Sequence, residues 1–206
     1  MPFNSNVFIN CPFDSQYKRL LNPILFTCIY SGLTPMISKL EDSGAIRIKQ
    51  IIKLIKESKY SIHDLSRMKS KKSGEIARFN MPFELGLDLG TREIGLGKLK
   101  NKRCLILDIE RYRYQAALSD ISGNDIASYG KRNQIEKIIE KIRDWFTAVL
   151  GPIQPSSSKL YLEYTEFVSD LQLELENLQF DKNDIKNLTN SEYIFYATKW
   201  VKNRNI

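Results

Sequence analysis

The chain carries few of the residues on which common active sites are built. Its 206 residues include one histidine, His63, and three widely separated cysteines, Cys11, Cys28 and Cys104. With no CxxC pair and a single imidazole, the pattern argues against a zinc site or a disulfide framework, and the thiols, each in apolar company, read as buried structural groups. The glycine signatures are missing too. No GxGxxG follows the first apolar run and no GxxxxGK[ST] occurs, which counts against Rossmann dinucleotide binding by the usual fingerprint and against P-loop phosphoryl transfer. The absence of GxSxG counts against an α/β-hydrolase. There is no basic segment leading into an apolar one at the N-terminus and no apolar run long enough to cross a bilayer. The expectation is a soluble, cytoplasmic protein with no membrane association.

What is present is enough for one real core, since 42% of the residues are hydrophobic. The net charge is +7, with a pI near 9.2. The lysines are spread over a helix face (Lys53, Lys56, Lys59) and a loop (Lys69, Lys71, Lys72), while the last third is rich in acids and no zinc-finger or RNP-type pattern appears. Nucleic-acid binding is therefore not favoured. An anion-attracting surface also suits a small molecule that bears phosphates.

Two periods alternate along the first 110 residues. The short apolar run 7–13 is of strand type, and 16–32 repeats apolar residues at helical spacing and ends on Gly32. Segments 34–41 and 60–66 read as further strands, with a helix over 45–59 between them that puts Ile48, Ile51, Ile52 and Ile55 on one face. A polar loop leads to "NMPFELGLDLG", a helix start with Asn80 as its cap and Pro82 in the first turn. The unbroken apolar run 103–109 is the kind buried on both faces of a sheet. Alternating strands and helices predict an α/β fold of flavodoxin-like type, a parallel sheet with helices on both faces. Residues 112–132 read as irregular, 134–151 as an amphipathic helix ending on Gly151, and everything from Lys159 onward as helical. The expected organisation is an α/β domain over 1–151 and a C-terminal helical extension over 152–206.

In an open parallel sheet, ligands bind beyond the carboxyl ends of the strands. The sequence places Asn10, Pro12, Phe13, Asp14 and Tyr17 after the first strand and His63, Asp64, Ser66 and Arg67 at the end of the third. Arg78, Asn80 and Glu84 come with the following loop and helix, and Asp108, Ser119, Asp120, Asp125 and Tyr129 after the fourth strand. Most have an ordinary structural use: Asn10 and Asp14 as helix caps, His63 as a hydrogen-bonded core residue, Asp64 and Ser66 as loop fixers, Arg78 as the partner of Asp64 or Glu84, and Asp108 as a strand-end cap. Glu84 has the weakest such use. A carboxylate favours a helix N-terminus, but an exposed position would serve without the company of Phe83, Leu85, Leu87 and Leu89. One carboxylate in a strand-end cleft suits cleavage of an N-glycosidic bond, whose transition state resembles an oxocarbenium ion.

The layout "VFINCPFD", "LIKESKYSIHDLSR", "NMPFELGLDLG" and "KRCLILD" resembles the TIR-domain and nucleoside 2-deoxyribosyltransferase-like superfamily, over roughly residues 7–150. The resemblance implies a flavodoxin-like sheet and a catalytic Glu at the start of the helix after the third strand, the position of Glu84. In the enzymatic TIR domains this Glu cleaves NAD+, and in the deoxyribosyltransferases it is the nucleophile. Where many TIR enzymes carry an aromatic residue four before the Glu, this chain has Asn80, with Phe79 beside it; the Asp usual in deoxyribosyltransferases is replaced by Arg78 and Asn80.

Taken with the residues, the resemblance implies an NAD+ glycohydrolase of the TIR type, with cyclisation or transfer of the ADP-ribosyl group as variants, and a role in prokaryotic antiviral defence as NAD+ depleter or signal producer. Glu84 and Asn80 are the expected catalytic pair. Asn10, Phe13, Asp14, Asp64, Ser66, Arg67 and Arg78 are the expected substrate-binding residues, with no metal and no cofactor beyond NAD+ as substrate. Self-association or an activating partner protein is expected. The alternatives are a nucleoside or nucleotide N-glycosidase or deoxyribosyltransferase-like effector, and a non-catalytic module that binds a nucleotide signal or a protein.

Overall fold

A computed structural model describes residues 3–38, 46–68, 79–152 and 155–204. Among them run five strands, β1 (Asn6–Asn10), β2 (Thr34–Ile37), β3 (Tyr60–Asp64), β4 (Arg103–Asp108) and β5 (Ala127–Ser128), all parallel and ordered β2-β1-β3-β4-β5. That is the flavodoxin-like order, as the alternation predicts. The helices are α1 (Lys18–Tyr30), α2 (Arg47–Glu57), α3 (Asn80–Ile94), α4 (Gln134–Leu150), α5 (Ser157–Asn177), α6 (Lys182–Lys186) and α7 (Asn190–Asn203). No helix of the described residues is long and apolar enough to cross a membrane.

The chain forms two compact units. The first, residues 1–17 and 33–134, contains the sheet with α2 and α3. Every residue of β1 and β3 is buried; β1 meets this with the apolar run Val7–Ile9, whereas β3 also buries Ser61, His63 and Asp64. Phe8 packs on Ile51, Leu54 and Ile55 of α2. Leu85 of α3 joins Leu65, Ile106, Tyr114 and Ile126 in a second cluster. Register sets Phe8 beside Ser61 and Asn10 beside His63, so the carboxyl end of that sheet face is polar.

The second unit, residues 18–32 and 135–206, is helical. Phe26 of α1 stacks on Phe167 of α5 at 5.2 Å and meets Tyr164 and Trp200 of α7 at 5.5 and 5.8 Å. Tyr193 donates to the Asn22 carbonyl at 3.1 Å, and Lys18 reaches the carbonyls of Lys186 and Leu188. Buried Glu163 is held by Lys159 and Arg204. Thr189 and Glu192 form a capping box that starts α7.

Two local expectations are corrected. Asn80 does not cap α3; Phe79 occupies the cap position without a side-chain bond, and Asn80 is the first helical residue. Glu84 therefore lies beyond the first turn, where the helix dipole no longer accounts for it. The segment 112–132 is not wholly irregular, since it contains β5, two residues paired with Leu107 and Asp108.

Candidate active site

The carboxyl ends of β1 and β3 gather most of the polar residues. Asp64 is fully enclosed and accepts from Tyr17 Oη at 2.5 Å, Tyr129 Oη at 3.1 Å and the Ser66 amide at 2.7 Å. Burial raises its pKa against the pull of these donors. It ties the segment after β1, the turn after β3 and the segment after β5 together, with nothing left over for a ligand. Ser66 is half-buried at that turn. Asp14 caps the turn before α1 by accepting from the Tyr17 amide at 2.9 Å, and its other oxygen pairs with Arg67 at 3.1 Å across the ends of β1 and β3. Both residues are about one third exposed.

Asp108, at the end of β4, accepts from the Ile109 amide and pairs with Arg113, which also donates to the Leu65 carbonyl at 3.0 Å. This is a loop clamp of the strand-cap type. Ser119, Asp120 and Asp125 are exposed and have no hydrogen bond or ion pair to the residues at the ends of β1 and β3. Arg78 lies outside the described residues.

Glu84 differs from all of these. It is 4% exposed, yet among the described residues its carboxylate has neither a hydrogen bond nor an ion pair. Burial pushes its pKa up, and the charges of Arg47, at the start of α2, and His63 only partly oppose this. Buried carboxylates are normally paired, because an unpaired charge in a dry site is costly. The start of α3 is also unusual: Phe79 and Phe83 are more than half exposed, and Phe13, beyond β1, is partly exposed. Asn80, one helical turn before Glu84, is exposed. Asp64, Glu84 and Asp14 all raise the pKa of Cys11, after the main effect of burial, so three carboxylates bear on the end of β1 and the thiol stays protonated there.

Beneath Glu84 lies a polar chain that the sequence did not reveal. Asn10 Nδ2 is 2.9 Å from His63 Nδ1 and 3.0 Å from the Met81 carbonyl. His63 Nε2 is 3.0 Å from Asp88 Oδ2, and Lys102 Nζ is 3.0 Å from Asp88 Oδ1. All four side chains are at most 2% exposed. Burial disfavours a charge on His63, but Cys104 and Asp88 more than offset it and its pKa is raised. With the Asn10 amide as it stands, Nδ1 accepts and the ring proton sits on Nε2; charging the ring requires the amide to turn, which would bring its unpartnered Oδ1 to Nδ1 and give up Met81. Asp88, despite burial, is lowered to about 2 by His63 and Lys102. The Asp88 signal was legible only as an i+4 partner of Glu84, and that of Lys102 not at all, since a lysine before a strand normally points to solvent.

His63, Asp88 and Cys104 place potential metal donors within 4.8 Å of one another. Lys102 already neutralises Asp88, however, and His63 Nε2 and Asp88 Oδ2 are spent on each other, so the trio is a hydrogen-bonded cluster. Nor is it a thiol–imidazole–carboxylate triad, because the second ring nitrogen is taken by Asn10.

No protein-family model and no curated protein matches the chain.

Proposed function

We propose that the chain is a TIR-like enzyme that cleaves the N-glycosidic bond of NAD+. The observation that carries the reading is Glu84: a buried carboxylate with no partner among the described residues and a raised pKa, at the carboxyl ends of parallel strands. In the reaction the C1′–N bond breaks, the nicotinamide leaves as a neutral base with the bonding pair, and positive charge develops on the ribose. Glu84, ionised, stabilises that charge or attacks C1′; water then adds and releases a proton. Exposed Phe13, Phe79 and Phe83 offer faces for the base, and Asn80 is placed to orient the ribose. Arg67, paired with Asp14 at the end of β3, and Arg47, at the start of α2, are the described cations offered to the diphosphate in this scheme, with Arg78 a further one from the sequence. Asn10 and Asp64, enclosed and already bonded, support the site in place of touching the substrate. From the resemblance follow a cytoplasmic role in antiviral defence and activation by self-association or a partner protein.

The test is incubation of wild type and Glu84→Gln with NAD+, at high protein concentration with a crowding agent, and measurement of free nicotinamide. Wild type is expected to release it, and the variant to be slower by about 100-fold or more. Equal release from both would overturn the role of Glu84. Release of base only from nucleosides or deoxynucleotides would move the assignment to the related transferases and hydrolases.

A further inference from the structure

Among the described residues Glu84 has no bonded partner, but the helix that carries it does. Met81, three residues before it, offers its carbonyl to Asn10 at 3.0 Å. Asp88, one turn after it, is hydrogen-bonded to His63 and ion-paired with Lys102, at 3.0 Å each. Lys102 is anchored in turn on the carbonyls of Ile55 and Ser58, at 2.8 and 2.5 Å, where α2 ends. One continuous chain of polar contacts thus grips α3 on both sides of Glu84 and fixes it to β1, β3 and the end of α2. Leu85 and its apolar neighbours already supply attraction between helix and sheet, and burying charges adds little to stability by itself. Hydrogen bonds add direction, which apolar packing lacks.

We propose that Lys102, Asp88, His63 and Asn10 form a positioning relay that clamps α3 on either side of Glu84. This rests on the reading of Glu84 as the reacting group. Among the described residues, the ionisable groups coupled electrostatically to Glu84 are Arg47 from α2, His63 from β3 and Cys11 from the segment after β1. Of these, Arg47 and, with its ring charged, His63 favour its charged form, so among the described residues loss of His63 leaves Arg47 alone to do so.

The test uses the full chain and two readouts that need no substrate: residue-resolved amide hydrogen exchange, and titration of the Glu84 carboxyl followed by carbon NMR. In His63→Gln the amides of Glu84 and Leu85 are expected to exchange about tenfold faster while those of Arg92 and Glu93, at the far end of α3, are unchanged. The Glu84 carboxyl is expected to titrate at higher pH. If His63→Gln does not fold, Asp88→Asn with Lys102→Gln removes the ion pair as a whole, leaves neither charge alone, and is read for the same local loosening. Exchange that rises evenly along α3, or not at all, together with an unmoved Glu84 titration in a folded variant, would overturn the relay. Failure to cleave NAD+ would bear on the proposed reaction and leave these readouts intact.

Discussion

At the scale of single residues, two carboxylates four positions apart on one helix behave in opposite ways. Asp88 is held at about 2, below its ordinary 3.8, by His63 and Lys102, so its charged form favours the folded state. That contribution is fully present above the unfolded value and is lost as pH falls from about 4 through about 2. Urea titrations between pH 5 and 2 are therefore expected to show a steep acid loss of stability in wild type and a shallower one in Asp88→Asn, with the variant weaker at neutral pH. Glu84 has the reverse sign. Its raised pKa means that ionisation opposes folding, so Glu84→Gln should unfold at the same or a higher urea concentration than wild type at pH 7. A variant that loses activity while gaining stability is the mark of a functional carboxylate; a clear loss of stability would instead give Glu84 a structural task. Sequence reasoning could single out Glu84 because its apolar company was visible in the chain. It could not see that Asp64 is consumed by Tyr17 and Tyr129, because those partners lie 47 and 65 residues away.

At the scale of elements, the long periodic segments were legible and the ends were not. Strands β1, β3 and β4 and helices α1, α2 and α4 fall where hydrophobic period put them, because each buries a face wide enough to dominate its pattern. Strand β5 is too short to show alternation and is defined only by its pairing with β4. The start of α3 was misjudged by one residue, since a favourable capping residue is not a cap unless the backbone leaves the helix there. Glycines give a test of local conformation. Gly32, after α1, has φ of +74°, whereas Gly86 lies within α3, where an added Cβ meets nothing within 4 Å among the described residues. Gly32→Ala is expected to cost about 1 kcal/mol, and Gly86→Ala to add about 0.5–1 kcal/mol, because alanine resists the left-handed region and favours the helix. Both are readable from urea midpoints. Similar effects at the two sites would contradict the assigned backbone.

At the scale of the whole molecule, the order of elements along the chain does not follow the order of cores. The first helix after β1 belongs to the second unit, together with α5 and α7, although some 130 residues separate them. Helical periodicity shows that a face must be covered and is silent about what covers it, so α1 could not be assigned from its sequence. The consequence is specific for a fragment ending at Gly151. Such a chain keeps α1 but lacks α5 and α7, and so strips Phe26 of Tyr164, Phe167 and Trp200 and leaves Tyr193 and Lys18 contacts unmade. Ile24, Leu25, Phe26 and Cys28 are wholly enclosed in the full chain, and burying a side chain of this size is worth roughly 1.5–3 kcal/mol, of the same order as a domain's entire margin when several are lost. The fragment 1–151 is expected to lack a cooperative thermal transition, to bind a hydrophobic dye and to aggregate, while the full chain melts cooperatively. Co-expression with residues 152–206 as a separate chain should recover part of the folded state, because the missing contacts are noncovalent. A fragment 1–151 that melts as sharply as the full chain would show instead that α1 can be covered without α5 and α7.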